Sequence, residues 1–194
     1  PKAKIIGITG TNGKSTTAAL LFHILKFNKI KSVICGNFGI PACSIDDPGE
    51  HGVIILELSS YQLDGAKSLS LDIATIINIT PDHLDYHESF DRYVSSKLKI
   101  INFLKKNGIF IYDKSNELLN KVIDTNKYSS LKFSSVHEKE AKDFINDNNY
   151  LKGPHNAINA SIAISIAKKL NINDDRIELA IKRFEGLSHR MEPL

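Results

Sequence analysis

Short, continuous apolar runs alternate along the chain with stretches of helical periodicity, and this alternation limits the fold more than any other feature. Runs at 4–9, 31–35, 53–58, 73–78 and 108–112 are mostly apolar throughout rather than at every second residue, as befits strands covered on both faces. Between and after them the spacing predicts helices over 14–27, 89–105, 116–124, 154–170 and 174–184, the second entered at Glu88. Such alternation builds an α/β domain with a mostly parallel sheet flanked by helices. The polar stretch 127–150 alternates only weakly, around Ser130-Leu131-Lys132-Phe133-Ser134, and reads as short edge strands and loops. With 194 residues, 42% of them hydrophobic, the chain can bury one substantial core.

Charge and cysteines narrow the partners. Twenty-five basic residues against 22 acidic ones give a formal charge of +3, with the lysines spread over many segments. No nucleic-acid partner is expected from that distribution. Cys35 and Cys43 have neither disulfide-scaffold nor metal-site spacing and read as reduced cytosolic thiols. No apolar run approaches a membrane span and the start lacks a signal-peptide layout, so no membrane partner and a soluble, cytoplasmic location are expected. The chain begins almost on a strand and ends just past a helix, the framing expected of a domain cut from a longer protein.

The first strand runs into Gly10-Thr11-Asn12-Gly13-Lys14-Ser15-Thr16 and then into a helix. Two glycines at a strand-to-helix turn leave backbone N–H groups free at a helix N-terminus, where the dipole favours an anion. In that order Lys14 reaches the outer phosphates of ATP and the Ser15 hydroxyl binds Mg²⁺. The general pattern G-x4-G-K-[ST] is not fully met, since Ile8 stands where its first glycine belongs.

Other candidates sit at strand ends. The run 53–56 delivers Glu57 to the carboxyl edge of the sheet, where a carboxylate can face a nucleotide-bound metal. On the helix after Glu88, a step of about 100° per residue puts Phe90, Tyr93, Val94, Leu98, Ile101 and Leu104 on one arc, with Lys97 in its middle. That cation either snorkels along apolar surface or is held inward for a purpose. His83, within Asp82-His83-Leu84-Asp85, is a metal or substrate ligand or a structural imidazole. Asn156 and Asn159 open a helix that is apolar nearly all round; they cap it or read a purine edge.

Together these residues resemble the central domain of the ATP-dependent muramyl (Mur) ligases, which add amino acids to a cell-wall precursor, and the resemblance covers essentially the whole chain. Residues 10–17 look like that family's own phosphate loop, which also lacks the early glycine. Gly36-Asn37-Phe38-Gly39-Ile40-Pro41 and Leu56-Glu57-Leu58-Ser59-Ser60-Tyr61-Gln62-Leu63 look most like the branch that joins D-glutamate to UDP-N-acetylmuramoyl-L-alanine. The resemblance implies a P-loop-type mononucleotide-binding domain over 1–194, with a UDP-binding and an amino-acid-binding domain outside this chain. It implies ATP and two Mg²⁺ ions, the first held by Ser15 and Glu57, the second by His83 and Lys97, the lysine carbamylated. Asn37, Ser59, Gln62 and His83 match substrate-binding positions, and His155, Asn156 and Asn159 match the adenine side. Residues 186–190 resemble a hinge, with Arg190 near the nucleotide. Lys14, His83 and Lys97 are the implied catalytic residues of a monomer. Two other readings stay open: another ligase of the same superfamily, such as a folylpolyglutamate ligase, or a nucleotide-binding module without chemistry of its own.

Overall fold

The computed structural model describes residues 1–123 and 127–186. The first half contains β1 (Lys4–Thr9), α1 (Lys14–Phe27), β2 (Ser32–Gly36), β3 (Val53–Glu57), α2 (Ser60–Gly65), β4 (Leu71–Ile76), α3 (Leu84–His87) and α4 (Phe90–Asn102). There follow β5 (Leu104–Asp113), α5 (Glu117–Val122), β6 (Lys132–Val136), α6 (Lys142–Ile145), α7 (Pro154–Lys169) and α8 (Asp174–Lys182). These strands form one sheet in the order β2-β3-β1-β4-β5-β6, and every pair is parallel. β1 therefore lies inside the sheet, where the chain switches from building on one side to building on the other. In an open parallel sheet that switch opens a crevice beyond the strand carboxyl ends.

Alternate side chains of each strand enter two different cores. Ile6, Ile8 and Ile55 pack with Leu21, Ile24, Ile164 and Ile181 beneath α1, α7 and α8. Ile54, Leu56, Ala74 and Ile76 face the other way and meet Tyr93, Ile100 and Phe110 around α4. Burial on both faces explains why the strands read as continuous apolar runs. α7 is buried from Asn159 to Ala167 on nearly every side, in keeping with its all-round apolar sequence. No helix among the described residues is long and apolar enough to cross a membrane.

Several expected boundaries change. The helix expected over 89–105 is α4, which stops at Asn102; Phe103 caps it and the chain passes directly into β5. Leu104 therefore pairs with Leu71 in the sheet instead of extending the helical arc. The first turn of α4 is capped by Ser89, whose Oγ accepts from Arg92 N at 3.3 Å, while Glu88 stands before it with a φ of 63°. The strand expected at 108–112 is the regular part of β5, preceded by a register shift against β4. The polar stretch yields one edge strand, β6, followed by helical turns and α6. Residue 124, the expected end of the third predicted helix, lies outside the described residues, as does Arg190. The short helices α2 and α3 were not anticipated.

Candidate active site

The loop between β1 and α1 is built for close approach. Gly13 is the N-cap of α1 at φ 83°, and no side chain caps the helix, so its first amides remain available to an anion. A Cβ on Gly13 would lie 2.3 Å from Asn159 Oδ1, which ties the glycine to the packing of α7 as well as to its left-handed backbone. The Asn78 side chain clamps the loop from the end of β4: its Oδ1 accepts from Asn12 N at 2.9 Å, and its Nδ2 donates to Asn12 O at 3.2 Å. Thr11 Oγ1 accepts from Thr80 N at 3.0 Å and lies 2.9 Å from the Tyr93 hydroxyl. Sequence reasoning missed Asn78, Thr80 and the hydroxyl of Tyr93; Asn78 closing an apolar run was the one available signal.

Lys97 is held inward. It is 2% exposed, and its Nζ donates to Gly10 O at 2.9 Å and lies over the Tyr93 ring. Lys14 Nζ donates to the same carbonyl at 3.0 Å and to Thr11 O at 2.9 Å. Two ammonium groups thus converge on Gly10. Burial first, and then the charge of Lys14, push the Lys97 pKa down to about 7. An amine in that range is part neutral at physiological pH and can act as a nucleophile or base.

Glu57 ends β3 beside Ile8 of β1 and is 1% exposed. Its Oε1 accepts from Asn37 Nδ2 at 3.0 Å, whereas its buried Oε2 has no hydrogen-bond partner. A buried carboxylate oxygen without a donor suits a hard cation, so the residues present fit Mg²⁺ at this point. Asn37, expected at the substrate, is engaged with Glu57. Ser59 and Gln62 form a capping box at α2: Ser59 Oγ accepts from Gln62 N at 3.2 Å, and Gln62 Oε1 accepts from Ser59 N at 2.9 Å.

His83 is half-exposed, 3.5 Å from Asp82, between the rings of Tyr61 and Tyr93 at 5.1 and 6.3 Å. Tyr93 is thus a neighbour of both His83 and Lys97. Among the described residues no group of three or more His, Cys, Asp or Glu side chains is gathered as a metal site, so the proposed second-metal set would draw on a modified lysine. On the α7 side, a cavity of about 340 Å³ is lined by Asn12, Gly13, Thr16, Asn78, Thr80, His155, Asn156 and Asn159. His155, Asn156 and Asn159 therefore do meet the loop. The helix cap itself is Gly153; Asn156 Nδ2 donates to Lys152 O at 2.9 Å and Asn159 Nδ2 to Asn156 Oδ1 at 3.3 Å, so capping does not account for the pair.

Comparison with known proteins bears on the family and the fold. The family described as Mur ligase middle domain matches residues 8–167. A UDP-N-acetylmuramoylalanine–D-glutamate ligase of Zymomonas mobilis is 41% identical over 100% of this chain and 43% of its own length. The ligase of the same name from Bacillus cereus is 34% identical over 98% of the chain and 46% of its own length. The chain therefore spans less than half the length of these curated relatives. Among solved structures, a crystal structure of MurF from Acinetobacter baumannii is similar with a TM-score of 0.74 at 19% identity, covering 98% of this chain and 48% of that one. MurF ligase from Thermotoga maritima in complex with ADP is similar with a TM-score of 0.67 at 18% identity, over 92% of this chain and 48% of that one.

Proposed function

The chain belongs to the Mur ligase middle-domain family, and from that premise we propose that it is the ATP-binding centre of an enzyme joining D-glutamate to UDP-N-acetylmuramoyl-L-alanine in peptidoglycan precursor synthesis. Lys97 carries the reading. Nucleotide binding alone needs no second lysine, yet this one is buried against the phosphate loop with a pKa of about 7, where its neutral amine can add CO₂, lose a proton to solvent and become an anionic oxygen donor.

In this proposal the backbone amides after Gly13, with Lys14, Ser15 and Thr16, hold the phosphates of ATP, and His155, Asn156 and Asn159 border the adenine. The L-alanine carboxylate attacks the γ-phosphate, giving an acyl phosphate and ADP, and the D-glutamate amine then displaces phosphate. Lys14 offsets the charge that accumulates when two anions are brought together. Ser15 and Glu57 would hold one Mg²⁺, and His83 with carbamylated Lys97 a second. Bound Mg²⁺ supplies Lewis-acid stabilisation of the transferred phosphoryl group. Asn37 orients Glu57, and Ser59, Gln62 and His83 border the muramoyl substrate, with Ser59 Oγ keeping its own proton to donate. The reading extends to UDP-binding and amino-acid-binding domains outside this chain, to Arg190 near the nucleotide, and to a cytoplasmic monomer.

The test uses the complete enzyme that contains this chain. ADP release should depend on UDP-N-acetylmuramoyl-L-alanine and D-glutamate, and dependence on diaminopimelate, lysine or a folate instead would reassign the substrate. Lys14→Ala should abolish ADP release; near-normal turnover would sink the phosphate-loop assignment. Lys97→Ala should lose ligation and regain part of it with added short carboxylic acids, whereas full activity without rescue removes Lys97 from the mechanism.

A further inference from the structure

Outside the residues that line the nucleotide cavity, a row of hydrogen bonds crosses the interior between α2, α3 and α4. His87, the last residue of α3, is 4% exposed. Its Nε2 lies 3.0 Å from Ser60 Oγ and its Nδ1 3.4 Å from Ser96 Oγ. The Ser96 hydroxyl donates to Asp64 Oδ1 at 3.2 Å, and Lys99 donates to the same oxygen at 2.5 Å. Lys99 holds the Asp64 carboxyl below its ordinary pKa, so that end of the row is a carboxylate that only accepts.

That acceptor fixes the direction of each bond. Ser96 has one proton and gives it to Asp64, so Ser96 Oγ accepts from His87 Nδ1–H. A neutral imidazole then presents bare Nε2 as an acceptor, and the Ser60 hydroxyl donates to it. Burial favours the neutral ring.

Three members of the row stand close in sequence to candidate site residues. Ser60 follows Ser59, Ser96 precedes Lys97, and His87 stands one turn beyond His83. We propose that His87 is a positioning residue, pinning α2, α3 and α4 together so that Ser59, His83 and Lys97 keep one geometry toward the muramoyl substrate. This role rests on the ligase reading above. The imidazole acts through its hydroxyl partners and touches neither substrate nor phosphate loop. Its ring also packs against Tyr61, Tyr86 and Tyr93 at centroid distances of 5.6, 4.8 and 5.3 Å, so packing and hydrogen bonding can be separated by substitution.

The complete enzyme again serves for the experiment, with ADP release as the rate and equilibrium ADP binding as the second readout. His87→Phe keeps an aromatic ring but bridges no hydroxyl. We expect kcat to fall about ten- to hundred-fold, the range for partners that orient a site's ligands. KM for UDP-N-acetylmuramoyl-L-alanine should rise, and ADP affinity should stay at the wild-type value. His87→Gln, whose amide oxygen can accept from Ser60, should recover much of kcat. Wild-type kinetics in His87→Phe, ADP affinity falling in step with kcat, or equal losses in both variants would each overturn the proposal. If His87→Phe does not fold, Ser60→Ala carries the test: lowered kcat with unchanged ADP binding supports the role, and wild-type kcat overturns it. A wild-type enzyme that releases no ADP with these substrates overturns the ligase reading and this role with it. Ligation that is indifferent to His87 and Ser60 overturns the role alone.

Discussion

Gly10 O receives two ammonium groups, from Lys14 and Lys97, and the effect on each differs with burial. Lys14 can follow an incoming phosphate, whereas Lys97 is confined beneath Tyr93 and has its pKa lowered from 10.5 to about 7. Between those two values the unfolded chain binds more protons than the folded one, so stability rises with pH across that window. Below pH 7 the full penalty of the buried charge is present. Lys97→Met should therefore stabilise the chain at pH 6, without added bicarbonate, by on the order of a few kcal/mol. The gain should fade as pH rises toward 10.5, as urea unfolding at pH 6 and 9 would reveal; no gain at pH 6 would mean that the cation is solvated. Lys97 was legible as a misplaced charge because helical periodicity assigns each residue a side. The contact of Asn78 with Asn12 spans 66 residues, and Glu57 is held through its Oε1 by Asn37 of a neighbouring loop while its Oε2 has no partner. No local pattern encodes either.

At the scale of elements, long buried units declare themselves and short ones do not. α1 falls at the expected residues and α7 ends one residue early, since more than three turns of consistent pattern average out local irregularity. α2 has six residues and α3 four, too few to establish a period. α2 nonetheless carried a readable signature, Ser59 followed three residues later by Gln62, which is a capping box. Removing it should matter for stability as well as substrate: Ser59→Ala should cost about 1 kcal/mol, measured by urea unfolding, and Ser59→Thr should recover most of it. The end of α4 was misjudged because Leu104 and Lys105 continue its pattern; pairing of Leu104 with Leu71 gives the backbone a better partner in the sheet.

For the molecule as a whole, the parallel sheet brings the loop after β1, the ends of β3 and β4, and the start of α7 to one edge. The alternation of strand and helix predicted that sheet, but not its strand order, because pairing partners are chosen by three-dimensional packing. A ligand that binds only this folded edge stabilises the entire domain. Mg-ATP at about a hundred times its Kd should raise unfolding free energy by about 2.7 kcal/mol, seen as a higher thermal midpoint, and the shift should vanish in Lys14→Ala. An equal shift in that variant would place the nucleotide elsewhere.

The central position of β1 also bears on how the chain is made. β1 leaves the ribosome before either strand that flanks it, and its partners β3 and β4 begin only at Val53 and Leu71. Until then its two edges have no neighbour, and an apolar strand with open edges invites pairing with other chains. Shielding by a chaperone or by the ribosome surface during that interval should therefore influence yield. Slowing elongation between residues 10 and 70 should increase aggregation.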